Sequence, residues 1–271
     1  MKSLSTGLGI CLVFLLAGCS GDSPVASVFK DLMPPTPKQA ASDLFNPYDP
    51  DARRKSLALI QASPFGGEEV YVRTYRTLVS DEDSTVRAAA LRALGLHGQV
   101  ADAEIIAPKL EDKIDYVRWE AARALQKIHN PVAIAPLMKR LRPNVEEQAD
   151  VRQACAYALG QYAEQRVFQA LVGALTETDF SVINAARQSL VTLTGEDLGN
   201  DGGKWLAWSK DRQDLFANQR QYTWMPFNKP ASFLDTVQFW KEKKTPQPQT
   251  PIGKDDEEKP AENKAGSAKS S

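Results

Sequence analysis

The stretch that decides the fold is STVRAAALRALG at residues 84–95, because the chain repeats it. Its counterparts are DYVRWEAARALQ at 115–126, ADVRQACAYALG at 149–160 and FSVINAARQSLV at 180–191. Each carries an anchoring valine, Val86, Val117, Val151 and Val182, so successive copies lie 31, 34 and 31 residues apart. Four positions past the anchor stand Ala90, Ala121, Cys155 and Ala186, and eight past it Leu94, Leu125, Leu159 and Leu190. Those offsets fall on one side of a 3.6-residue helix, so each copy reads as a helix with a small and aliphatic stripe. A fainter copy, DARRKSLALI at 51–60, sets Ala52 at the anchor, with Ser56 and Ile60 at the same offsets.

Between these helices lies a second set: EVYVRTYRTLV at 69–79, AEIIAPKLEDK at 103–113, VAIAPLMKRL at 132–141 and VFQALVGAL at 167–175. Val79, Leu110 and Leu175 each precede the next anchor by seven residues, and Leu141 precedes it by ten; the longer link RPNVEEQAD takes up the extra three. Each unit is thus a helical hairpin. One hairpin cannot bury its apolar stripe alone, and stacking hairpins solves that problem. The expected fold is all-α: an α-solenoid of about five helical hairpins over residues 42–195, with a short C-terminal cap.

The pattern of an acid, Val-Arg, alanines and a Leu-Gly end resembles HEAT repeats, in particular the short bacterial kind also found in phycobilisome-lyase-type proteins. The resemblance covers about residues 49–195. It implies that Arg53, Arg87, Arg118 and Arg152, with nearby acids such as Asp83, Asp115, Asp150 and Asp179, tie adjacent loops and helices together. Ile183 replaces the arginine in the last copy, as a terminal repeat would.

At the other end of the chain, MKSLSTGLGICLVFLLAGCSGD has the three-part layout of an export signal: Lys2, an apolar run from Leu8 to Leu16, then small residues. The run is shorter than the about 20 apolar residues a membrane-spanning helix needs. Leu16-Ala17-Gly18-Cys19 resembles the lipobox of bacterial lipoproteins, which implies a signal peptide at 1–18 and lipid attachment at Cys19. More than one acyl chain gives stable anchoring without crossing the bilayer. Ser20 resembles the sorting residue of lipoproteins sent to a Gram-negative outer membrane. Residues 19–41, rich in proline, read as a flexible tether.

Of three cysteines in 271 residues, Cys11 leaves with the signal and Cys19 carries lipid, so Cys155 alone remains and no internal disulfide forms. On the core stripe it reads as a buried, inert thiol. The formal net charge of −1 gives no basic surface for a phosphate backbone, so nucleic acid is not an expected partner.

Catalytic patterns are sparse. His97 and His129 follow helix ends and belong to no group with metal-ligand spacing, so no metal and no cofactor are expected. Among enzymes of similar repeat architecture, deoxyhypusine hydroxylases use His-Glu pairs, and here His97 precedes Gly98 and His129 precedes Asn130. Alkylpurine DNA glycosylases need a basic groove, and phycobilin lyases act on substrates not expected in an envelope. No nucleophile elbow, phosphate loop or zinc signature is present. The chain is expected not to be an enzyme.

A solenoid can still present a curved surface to a partner. On the anchored helices the face opposite the stripe falls at offsets two, six and nine. It reads Arg92; Trp119, Arg123 and Gln126; Gln153 and Tyr157; Asn184 and Gln188. Arginine, tryptophan and tyrosine dominate binding hot spots. The same residues serve equally well to pack Trp119 and Tyr157 against the next repeat. If the face binds, its basic tint favours other envelope proteins or acidic peptides, or an anionic glycan. The different-class alternative is an accessory factor to an envelope modifying enzyme or lyase.

Beyond Gly195, Asn200-Asp201 and the nearby glycines mark a turn, and Trp205 and Trp208 lie three apart on a short helix. Glu196, Asp197, Asn200 and Asp201 lack the spacing of an EF-hand loop. Residues 196–243 read as a capping helix and an aromatic strap, YTWMPFNKPASFLDTVQFW at 222–240; this segment suits strapping back over the solenoid, and also docking a partner or dipping into a membrane interface, where tryptophan is favoured. Residues 244–271, rich in proline, lysine, acid and serine, read as a disordered tail.

Overall fold

The computed structural model describes residues 37–226 and 246–254; the signal, Cys19, the first part of the tether, most of the strap and residues 255–271 lie outside them. The described residues hold eleven α-helices, no strand, and two isolated β-bridges. The protein is an all-α solenoid.

Five anchored helices form the inner row: α2 (Pro50–Gln61), α4 (Ser84–His97), α6 (Asp115–Leu125), α8 (Ala149–Leu159) and α10 (Phe180–Thr194), with each packed on the next. Their stripes are the core: the four valine anchors, the four small residues and the four leucines are all buried. Three of the five, α2, α4 and α10, begin where an aspartate caps them. Asp49 accepts from the Ala52 amide at 2.9 Å, Asp83 from Thr85 at 2.8 Å and Asp179 from Ser181 at 2.9 Å. These bonds satisfy amides that have no partner within the first turn.

The outer elements alternate with them. They are α1 (Pro37–Asp43), α3 (Glu69–Leu78), α5 (Ala103–Ile106), α7 (Ile134–Arg140) and α9 (Gln165–Ala174). Pro108, which lacks an amide hydrogen, explains why α5 continues only as a 3-10 turn over Ala107–Glu111. Pairing α1 with α2 completes five hairpins.

The structure moves two boundaries. Residues 37–41, read as tether, belong to α1, whose Ala40 is buried along with Leu44 beyond the helix end; they lie four apart, one helical turn, and join the core where α1 packs on α2. Residues 246–254, read as disordered tail, are docked. The Ile252 amide donates to the Lys127 carbonyl at 2.8 Å, the His129 amide to the Ile252 carbonyl at 2.9 Å, and Trp224 and Gln249 exchange two backbone bonds. Composition gives this segment little to bury, but the loop after α6 offers it an unpaired backbone edge.

At the far end α11 (Gly202–Lys210) covers the last hairpin. Trp205 is fully buried, its indole donating to the Gly199 carbonyl at 2.8 Å, with the Phe168 ring 6.4 Å away. In the preceding turn Asp197 pairs with Arg187 at 2.6 Å, and Asp201 caps α11. The Arg187 hydrogen bond and then the Gly199 amide hold the Asp197 carboxyl down at about 2.

The arginine ladder ties the repeats together through other acids than those expected. Arg53 pairs with Asp81, Arg87 with Asp112, Arg118 with Glu146 and Arg152 with Glu177. Each acid stands five residues before the next anchor, in the link leading into the following helix. Asp83 and Asp179 are committed to capping, and the Asp115 carboxylate accepts from the adjacent Tyr116 amide.

Candidate partner-binding groove

On α6, Trp119 and Arg123 are one turn apart, and the Arg123 guanidinium lies over the Trp119 ring at 4.5 Å from its centroid. One more turn along the chain, just past the helix end, is Lys127. Its ammonium lies 4.8 Å from the centroid of the Trp224 ring, which the C-terminal segment brings to this face. Lys127 is only 7% exposed. Burial, then the neighbouring charge of Arg123, pulls its pKa down to about 8; Glu120 opposes the shift and Arg92 adds to it. Burial likewise lowers the Arg123 pKa, with Glu120 opposing.

These residues line a groove of about 450 Å³ that continues across α8 and α10. Gln126 and Gln153, the Tyr157 ring and Gln188 line it from three successive repeats, and residues 222–225 close one side. Tyr222 locks that side by donating to the Tyr157 carbonyl at 2.8 Å. Among the described residues no acid lines the groove. The volume is within the roughly 300–1,000 Å³ common for ligand sites.

Of the eight residues picked from the helix face, the groove brings together six: Trp119, Arg123, Gln126, Gln153, Tyr157 and Gln188. Arg92 and Asn184 do not line it. Arg92, 47% exposed, turns its guanidinium to Glu120 of α6. Asn184 is half-buried on α10. Trp119 both lines the groove and packs on the core.

Lys127 is a residue the helical offsets do not include, and residues 222–225 of the expected strap wall the groove. Lys127 lies beyond Leu125, where α6 ends and the helical offsets cease to apply; only its four-residue spacing from Arg123 signalled it. The two histidines are engaged at helix ends: His97 bonds the Gln61 carbonyl at 2.7 Å, and the His129 ring stacks on Tyr162 at 4.9 Å. A second concavity, of about 490 Å³ between α7 and α9, contains none of the picked residues.

The model of the HEAT repeat family matches this chain at residues 76–147 and 107–191. The match begins within α3 and ends within α10, taking in α4 to α9 whole and leaving out α1 and α2. No curated protein matches the chain. Among solved structures, two engineered proteins are similar. One has a TM-score of 0.47 and 22% identity over 57% of this chain and 78% of its own. The other has 0.48 and 21% over 66% and 93%. A designed armadillo repeat protein is similar at 0.46 and 16%, over 67% of this chain and 94% of its own.

Proposed function

We propose that this chain is a lipid-anchored scaffold of a bacterial cell envelope that holds an acidic partner in the groove across α6, α8 and α10 and performs no chemistry itself. The observation that carries the reading is the groove's make-up. Three successive repeats supply aromatic, amide and cationic groups to one concavity, and no described acid lines it. A carboxylate-rich segment of an envelope protein fits that lining, because charge-assisted bonds from arginine and lysine are the strong ones. Repeat arrays use such extended surfaces for protein binding.

The anchor rests on Leu16-Ala17-Gly18-Cys19, outside the described residues. Among the described residues no helix is long and apolar enough to cross a membrane. Anchoring would go through acyl chains on Cys19, at the periplasmic face of the outer membrane if the envelope has two.

A crosslinked pull-down from native membranes tests the binding role, comparing wild type with Trp119→Ala/Arg123→Glu after both are shown to fold. Loss of a partner in the variant supports the groove. A partner retained sinks it, and an altered turnover of a modifying enzyme without stable capture favours the accessory-factor alternative. Labelling with an alkynyl fatty acid, compared with Cys19→Ser, tests the anchor.

A further inference from the structure

Two donors of the groove, Lys127 and the Trp224 indole, meet no acceptor among the described residues. The buried Lys127 ammonium meets the face of Trp224, and no described carboxylate pairs with it. Glu120, whose charge acts on Lys127, is held by Arg92. The indole nitrogen of Trp224, a residue only 9% exposed, is buried with no acceptor among the described residues. Buried donors in this condition favour an anionic, acceptor-rich occupant.

The same chain carries one to the groove's edge. Ile252 is bonded to the backbone of Lys127 itself. Two residues on, Lys254 donates to the Gln161 carbonyl at 2.6 Å and lies 6.0 Å from the ring centroid of Tyr222, a wall residue. The next four residues are Asp255, Asp256, Glu257 and Glu258, outside the described residues. An extended chain covers at most about 3.3–3.6 Å per residue. Residues 251–254 form a turn, the Lys254 amide donating to the Pro251 carbonyl at 3.2 Å, so residue 255 starts at most about 10 Å from the Lys127 backbone and residue 258 lies at most about twice as far.

We propose that the acidic run at residues 255–258 occupies the groove in cis, its carboxylates facing Lys127 and Arg123, and that an acidic partner must displace it. The inference rests on the reading of the groove as an acidic-partner site. Tethering supplies the run at an effective concentration in the millimolar range, so a weak intrinsic fit is enough to hold off a dilute competitor. A partner binds once its local concentration or affinity exceeds that threshold.

Two measurements on the full chain decide it. First, carbodiimide crosslinking at low salt followed by peptide mapping should join Lys127 to a carboxylate of residues 255–258, and Lys127→Met should abolish that link. A map in which Lys127 joins only other carboxylates, or none, overturns the proposal. Second, fluorescein-labelled hexaglutamate should bind Asp255→Asn/Asp256→Asn/Glu257→Gln/Glu258→Gln about tenfold more tightly than wild type at low salt. Equal binding overturns cis occupancy alone and leaves the groove as an acidic-partner site. No binding by either chain overturns the acidic-partner reading, and the crosslink then decides the cis contact by itself.

Discussion

Glu146 accepts both prongs of the Arg118 guanidinium, Nε at 2.6 Å and Nη2 at 2.7 Å. The carboxylate is fully buried and the arginine side chain 13% exposed. The Gln148 amide also donates to it, and Arg152 donates to the Glu146 backbone carbonyl at 2.8 Å. Glu146 therefore joins α6 to α8 through the one link that is three residues longer than the others. Removing one partner of a buried pair typically costs about 3–5 kcal/mol, because the other charge is left unpaired. Glu146→Ala should fall in that range by urea denaturation. Arg54→Ala, which breaks an exposed pair with Asp51, should lose no more than about 1 kcal/mol. The last rung is looser: Arg152 and Glu177 meet at 3.2 Å, with Arg152 Nε and Glu177 Oε1 unpartnered among the described residues. Glu177→Ala should accordingly cost less than Glu146→Ala.

The same rung has a pH signature. Burial pushes the Glu146 carboxyl up, but the hydrogen bonds from Arg118 and the Gln148 amide together outweigh it and hold the pKa below the usual range. A depressed acid contributes stability that is full above its unfolded pKa, about 4.3, and is lost as pH falls through the lower folded value. The stability gap between wild type and Glu146→Gln should be flat from pH 7 to 5 and close below about pH 4. A gap that persists at pH 2 would contradict this account.

Lys127 should show the opposite sign. Its pKa of about 8 lies below the 10.5 of a free lysine, so the fold penalises its charge. The penalty is full below pH 8 and is relieved as pH rises from 8 to 10.5, where the folded state has lost a proton that the unfolded state keeps. Lys127→Met keeps the stem over Trp224 and removes the charge. It should be more stable than wild type at pH 7, with the difference shrinking over that window. Carboxylates of residues 255–258 facing Lys127 would narrow the difference, so it should be widest in the chain with those four acids neutralised.

Gly160, where α8 ends, allows α10 to approach. A methyl group there would lie 2.7 Å from Ser189 Oγ and 2.9 Å from its Cβ. Ser189 cannot simply turn away, since its hydroxyl donates to the Ala156 carbonyl at 2.8 Å. Gly160→Ala should therefore destabilise by about 1–3 kcal/mol, the usual range for overpacking, despite alanine's better helix propensity. Thermal unfolding checks the sign.

Cys155 is fully buried at the position that Ala90, Ala121 and Ala186 occupy in the other repeats. Burial pushes its thiol well above the usual range. It should resist iodoacetamide at pH 8 in the folded protein and react on unfolding. Cys155→Ala should cost about 1 kcal/mol by urea denaturation, the loss of one small buried group.

The sequence determined the helices and the side each one buries, because a stripe at offsets of four and eight is a property of a single segment and needs no neighbour to specify it. Val117, Ala121 and Leu125 are buried for the reason their spacing implies. It also carried the ladder's acids: Asp81, Asp112, Glu146 and Glu177 all stand five before an anchor, while Asp83 and Asp179, three before theirs, cap helices instead. Which carboxylate meets which arginine depends on how far one hairpin rotates on the next. The groove's wall is a purely tertiary decision. Lys127 and Ile252 are far apart in the chain and share no periodicity. The backbone bond between them forms because an open loop edge after α6 met a proline-flanked segment able to pair with it.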